Sequence, residues 1–184
     1  MRLANEEHAL HGAGAEIVAI SVDSPGRNEA LRRRWLLAFP VVSDPGGSQL
    51  LQPLQAWNPD ERGGIAWPTV MLFAPNGDEV FRMRSRDFAD RPTDDDLLAA
   101  IQRLELSPIE LGVAPATAEP EEDPGALRID AFGPYFRGIR YGTIALAGRL
   151  DAGPNRAEAL AMSNMAASFL DAWKTRREVS NPPA

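Results

Sequence analysis

The run from Gly64 to Gly77 constrains this chain more than any other stretch, because it carries a strand, its entry proline and its exit turn. Val70 to Phe73 is an unbroken apolar run, short enough for a strand covered on both faces. Pro75-Asn76-Gly77 supplies turn chemistry, and a second apolar run, Glu79 to Met83, follows it. The pattern predicts an antiparallel strand pair. Trp67-Pro68 stands at the strand's start, where a proline removes no donor from the middle of a ladder.

The chain leading to this pair alternates strands and helices. Leu3 to His11 reads as a helix ended by Gly12 and Gly14, and it begins without a cap, as if part-way into an element. Ala15 to Val22 is a continuous β-rich run of the kind found in central parallel strands. Ser24 as N-cap and Pro25 at the first helical position start the next helix, because the missing proline N–H has no partner there anyway. That helix buries Leu31, Trp35 and Ala38, turns Arg32, Arg33 and Arg34 mostly outward, and closes at Pro40. Val41 to Ser43 forms a short strand, and Asp44-Pro45-Gly46-Gly47 is a turn before a short helix from Ser48 to Leu51. Trp57 to Gly64 is loop by composition, as is Asp87 to Pro92. A helix then runs from a capping box at Thr93 to Leu104, with Leu97, Leu98, Ile101 and Leu104 on its buried side.

This order predicts an α/β fold with right-handed crossovers and a mainly parallel mixed sheet flanked by helices. Prolines at 108, 115, 120 and 124, set among alanines and an acidic run, mark residues 107–126 as an extended linker. Beyond it, Phe132, Tyr135, Phe136 and Ile139 recur at helical spacing, as do Met162, Met165, Phe169 and Trp173 after the Ala152-Gly153-Pro154 break. The expectation is a helical hairpin over 127–179, with those residues as a packing or homodimer face, and a frayed tail over 180–184. Gly138 and Gly142 permit a close helix approach, but Arg137, Arg140 and Arg149 exclude a transmembrane dimer motif.

Composition narrows the chemistry. With 44% hydrophobic residues the chain can bury a core. The net charge of −7 disfavours nucleic-acid binding, which needs a basic surface to replace counterions. No apolar run reaches membrane-spanning length, so no membrane partner is expected and the setting is read as cytoplasmic. The chain has no cysteine, which removes disulfides, thiolate metal sites and any cysteine nucleophile. His8 and His11 lie at i,i+3 on a helix without a third ligand, so they read as exposed residues and no metal or cofactor is expected. Arg82, Arg84 and Arg86 alternate to one side of a strand, which reads as a solvated face before an anion site.

Four segments together carry a family resemblance. Ala15-Glu-Ile-Val-Ala-Ile-Ser-Val-Asp-Ser-Pro25, Phe39-Pro-Val-Val-Ser-Asp-Pro-Gly-Gly47, Pro68-Thr-Val-Met-Leu-Phe-Ala-Pro-Asn-Gly77 and Arg86-Asp-Phe-Ala-Asp-Arg-Pro92 resemble the redoxin branch of the thioredoxin-like superfamily. These are proteins of the alkyl-hydroperoxide-reductase and thiol-specific-antioxidant type, the peroxiredoxin relatives. The match runs in order over residues 1–106. It implies a thioredoxin-like domain lacking the first strand and the start of the first helix, truncated at its N-terminus.

The implied activity is thiol-dependent reduction of hydroperoxides or disulfides by a thiolate at a helix N-terminus, where free N–H groups stabilise the anion. No residue of this sequence takes that role, so no catalytic residue is assigned and the chain alone is expected to be inactive. Many peroxiredoxins carry an activating arginine at the Pro68 position, whereas thioredoxins carry a cis-proline. The resemblance therefore implies a cis-Pro68 wall of a cleft flanked by Trp67 and Thr69. The other reading is a redox-inactive thioredoxin-fold module that uses the Pro68 cleft or the C-terminal hairpin for binding or dimerisation; for the two flanking residues themselves, the alternative to a cleft role is core packing for Trp67 and an ordinary strand hydroxyl for Thr69.

Overall fold

The computed structural model describes residues 2–85, 94–110, 112–121 and 123–180. The chain forms two units, one of Glu6–Asp123 and a helical one in which Met1–Asn5 joins Pro124–Ala184. The first helix is broken where the sequence predicts continuity: α1 is Arg2–Asn5 and α2 is Glu7–Gly12, separated at Glu6. No side chain caps α2, and Gly14 leaves it in the left-handed region at φ 84°.

In the first unit, β1 (Ala19–Ser21) pairs in parallel with β2 (Val41–Ser43), and α3 (Pro25–Trp35) crosses between them. The β-rich run from residue 15 yields only this three-residue strand. The start of α3 follows the sequence signal: Pro25 opens the helix and the Ser24 hydroxyl accepts from the Arg27 amide. Its end is less usual. Leu36 takes the left-handed position normally given to glycine, and the Leu37 amide closes back on the Arg32 carbonyl at 3.0 Å.

The turn after β2 is organised by one buried carboxylate. Asp44 accepts from the amides of Gln49, Leu50 and Leu51 at 3.1, 2.8 and 2.8 Å. This binds residues 45–55 into successive turns instead of the short helix expected at Ser48. The loop expected over 57–64 begins with one strand of a second ladder, β3 (Trp57–Asn58), antiparallel to β4 (Ile65–Ala66) just beyond it. Gly47 and Gly64, both at positive φ, lie against the indole of Trp57, and a Cβ on either would run into the ring. A glycine is required at both positions for conformation and for space.

The predicted antiparallel pair is present as β5 (Thr69–Phe73) and β6 (Glu79–Arg84), with Val70 opposite Met83, Leu72 opposite Phe81 and an irregularity at Leu72/Phe73. Gly77 closes its turn at φ 89°, donating to the Ala74 carbonyl at 2.9 Å. Next comes α4 (Asp94–Gln102), which buries Leu97, Ala100 and Ile101, while Leu98 and Leu104 are half-buried. The loop at 87–92, the cap at Thr93 and the tail after Ser180 lie outside the described residues.

Among the described residues the strands form three separate two-stranded ladders, not the single mixed sheet expected. The exposure of the strands follows. Val70 to Leu72 are half-buried instead of covered on both faces, and Phe73 and Val80 are exposed.

The linker expected over 107–126 is largely part of this first unit. The amides of Ile109, Ala114 and Glu121 donate to the carbonyls of His11, Ala38 and Gly26 at 3.0, 2.6 and 2.9 Å. Its prolines keep it out of helix and strand, and its backbone donors find partners on the elements it crosses.

The helical unit contains α5 (Ile129–Ala147) and α6 (Pro154–Ser180), joined through Gly153. Phe136, Ala166 and Leu170 form its buried centre, surrounded by Phe132, Ile139, Met165 and Phe169. Close approach occurs at Gly133, where a Cβ would stand 2.9 Å from the Trp173 ring; Gly138 and Gly142, expected to serve that purpose, face open space. The Asn5 side chain donates to the Ala172 carbonyl at 3.3 Å, which ties α1 onto α6.

Candidate functional site

Trp67, Pro68 and Thr69 link β4 to β5. No peptide bond among the described residues is cis, so the Trp67–Pro68 bond is trans and the cis-proline wall implied by the resemblance is not formed. Trans is the ordinary state of an X–Pro bond. The Trp67 amide donates to the Ala56 carbonyl at 2.7 Å and the Pro68 carbonyl accepts from the Ser85 amide at 2.8 Å. An extended segment held from both sides in this way continues the run of strand without reversal. The Thr69 hydroxyl donates to the Trp67 carbonyl at 3.1 Å.

What the segment presents is an aromatic surface covered by a cation. The Arg84 guanidinium lies 4.9 Å above the Trp67 ring, a geometry that attracts it to the π-face. Arg82 is committed elsewhere: it grips Glu79 with Nε and Nη2, and its Nη1 donates to the Leu54 carbonyl at 2.8 Å. The Arg82 hydrogen bonds hold the Glu79 carboxyl below its ordinary range, against the upward pull of burial. The two arginines are therefore engaged, not merely solvated, and Arg86 lies outside the described residues. Beside them the Ser85 hydroxyl is buried without a hydrogen-bond partner.

A second polar cluster, which sequence reasoning missed, lies at the carboxyl ends of β1 and β2. The Ser21 hydroxyl donates to Asp23 at 2.8 Å and accepts from the Asp23 amide at 3.0 Å. The buried Asn28 amide group donates to the Ser43 hydroxyl at 2.8 Å and to the Asp23 carbonyl at 3.4 Å. Burial alone would raise the Asp44 carboxyl, but the amides of Leu51, Leu50 and Gln49 outweigh it and the pKa is lowered. Each of these groups serves the turn or helix next to it. The arrangement is a polar brace rather than a nucleophile with its base.

On α3 the buried Glu29 carboxylate holds two arginines, Arg32 largely covered and Arg33 half exposed. Glu29 is 1% exposed and accepts from Arg32 Nε at 2.9 Å, Arg32 Nη2 at 3.0 Å and Arg33 Nε at 2.8 Å. Arg32 thus turns inward, contrary to its expected outward position, because the carboxylate at i−3 draws it there. The i,i+3 and i,i+4 spacing was the available signal. Hydrogen bonds from Arg32 and then Arg33 lower the Glu29 pKa from 4.5 to about 2, against burial. A group lowered on folding contributes stability above its unfolded pKa and loses it as pH falls through the folded one. Melting temperature is therefore expected to decline between pH 4.5 and about 2 in the native chain, and Glu29→Gln is expected to remove that part of the decline. Melts of both chains over this range check it; parallel curves would show that Glu29 does not titrate in the fold.

His8 is exposed, while His11 is buried, with Nε2 3.4 Å from a Glu16 carboxylate oxygen, so the expectation that both histidines face solvent fails at His11. No group of three histidine or carboxylate side chains among the described residues is arranged to hold a metal ion. No helix among them is long and apolar enough to cross a membrane.

The aromatic face of the C-terminal helices is assembled within one chain. Phe136 lies 4.9 Å from Phe169 and 4.5 Å from Phe132, and Phe132 lies 6.5 Å from Trp173. Ile139 and Met165 pack on this cluster, and Met162 is half-buried. Tyr135 meets Phe136 edge-on at 5.1 Å yet remains 48% exposed, so it projects from the face instead of filling it. Arg177 covers the Trp173 ring at 5.5 Å, in a surface hollow shared with Lys174 and Glu178. Against these features, no protein-family model matches the chain and no curated protein shows significant similarity to it.

Proposed function

We propose that this chain is a redoxin-like module of the thioredoxin-like superfamily that works by binding and self-association, not by thiol turnover. The observation that carries this reading is a parallel β1–α3–β2 unit followed by the β5–β6 hairpin and α4, in a chain without cysteine. The order of elements agrees with the redoxin resemblance, and the missing thiol removes the nucleophile on which that chemistry depends. Hydroperoxide or disulfide reduction of the antioxidant type is the second reading, favoured by the same order. It requires a cysteine from outside these 184 residues.

Self-association is assigned to the C-terminal helices. Their inner face is filled from within the chain, but Tyr135, Tyr141, Ile144 and Leu146 of α5 and Leu160 of α6 remain exposed. Large apolar side chains left in water favour a protein contact. The net charge of −7 supports a protein partner over nucleic acid, and a cytoplasmic setting completes the proposal. Sedimentation velocity over a wide concentration range is expected to show a dimer that dissociates on dilution and is weakened by Tyr141→Ser. A single monomeric species at every concentration would overturn the self-association.

A further inference from the structure

Residues 112–121 lie along α3 and are tied at both of its ends. The Ala114 amide donates to the Ala38 carbonyl, beyond the helix C-terminus, and the Glu121 amide donates to the Gly26 carbonyl in the first turn. The segment therefore runs antiparallel to the helix. At 11 residues α3 is about 16 Å long. The chain from Ala114 to Glu121 reaches at most about 25 Å when fully extended, so it spans the helix with limited slack. Pro115 and Pro120 fix their own backbone φ, which reduces the entropy lost when the segment is laid down.

The closing end is chemically specific. The Ser24 hydroxyl donates to Glu121 Oε2 at 2.6 Å, and Arg27 Nε stands 3.7 Å from Glu121 Oε1. Arg27 Nη2 also reaches Asp123 at 3.5 Å. Gly26 is required for the fit, because a Cβ there would stand 2.8 Å from the Glu121 Cβ and 3.0 Å from the Glu119 carbonyl oxygen. Little else holds the segment down. Val113 is 77% exposed, Glu121 and Arg27 are about half exposed, and no residue from 112 to 121 is buried. A segment held by solvent-exposed hydrogen bonds and screened charges, without apolar burial, belongs to the low end of local opening free energies.

We propose that residues 112–121 are an electrostatic latch on α3, which opens at its Glu121 end, alternately covering and exposing Ser24 and Gly26 and engaging and releasing Arg27. The carboxylate locks it, and ionic strength sets the fraction closed. The latch acts on the first turn of α3, beside the carboxyl ends of β1 and β2, so its opening changes access to that end of the parallel unit without unfolding it.

Hydrogen exchange read by mass spectrometry on the full chain tests this. Glu121→Ala removes the charged lock, and Gly26→Ala dislodges the segment by contact while leaving every charge in place. Either is expected to speed exchange in peptides covering 112–121 by about tenfold, the loss of one charge-assisted hydrogen bond, with α5 and α6 unchanged. High salt is expected to do the same to the native chain, without any substitution. The proposal is overturned if salt leaves exchange over 112–121 unchanged, if neither variant accelerates it, or if acceleration spreads equally to every helix.

Discussion

Phe136→Ala is expected to cost the helical unit about 3–5 kcal/mol, the range for removing a buried aromatic ring. Phe136 is 5% exposed and its ring touches those of Phe132, Tyr135 and Phe169, so a single deletion disrupts the whole aromatic cluster. Little can move in to fill the space. Ala166 is fully buried with no longer side chain to offer, and Gly133 already lies against the Trp173 ring. Two helices bury too small an area to absorb such a loss, so denaturant unfolding followed by helical circular dichroism should show an early transition for the hairpin. Asn164→Ala is the control. Asn164 is exposed on α6 and lies outside the self-association face, so the variant should fall within about 0.5 kcal/mol of the native chain. A Phe136 variant as stable as that control would mean that the aromatic cluster is not the core of this unit.

Gly64→Val is expected to destabilise the first unit by more than about 2 kcal/mol, by adding backbone strain to a collision. At φ 116° the position lies where a β-branched residue is disfavoured, and the new Cβ would enter the Trp57 ring. Gly47, at φ 72°, lies against other atoms of the same ring, so the indole is closely packed at a second position. Gly63→Ala separates the two causes. Gly63 also has positive φ, but nothing stands within 4 Å of its Cβ position, so only about 1 kcal/mol of strain is expected there. The indole N–H resonance of Trp57 should move in the Gly64 variant and stay in place in the Gly63 variant. Equal effects at the two positions would remove the ring contact from the account.

The sequence was most legible where a local rule acts alone. Ser24 and Pro25 specify the start of α3 through a cap and a missing donor, and Pro75-Asn76-Gly77 specifies the β5–β6 turn. Gly153-Pro154 marks the start of α6, and the spacing of Phe132, Phe136, Met165 and Phe169 identifies the faces that pack. The rest depended on contacts across the chain. A run as apolar as Val70 to Phe73 implies a covered strand, but whether neighbours cover it depends on strands elsewhere in the sequence. The inward turn of Arg32, the three amides on Asp44 and the indole between Gly47 and Gly64 are non-periodic contacts, and composition reads those residues as surface or loop. Four prolines among alanines and an acidic run give residues 107–126 the look of a linker; the bonds that hold the segment come from backbone donors and one carboxylate. At Pro68 the cis geometry rested on the resemblance alone, and the bond is trans, the ordinary state of an X–Pro bond.

The proposed function is a redoxin-like module that binds and self-associates without thiol chemistry. Its most direct test is hydroperoxide consumption by the purified 184-residue chain in the presence of excess dithiol reductant. The account predicts consumption no faster than in reductant alone, at any concentration of the chain and before or after treatment with a thiol-alkylating reagent. Sustained turnover that scales with the amount of chain would contradict it.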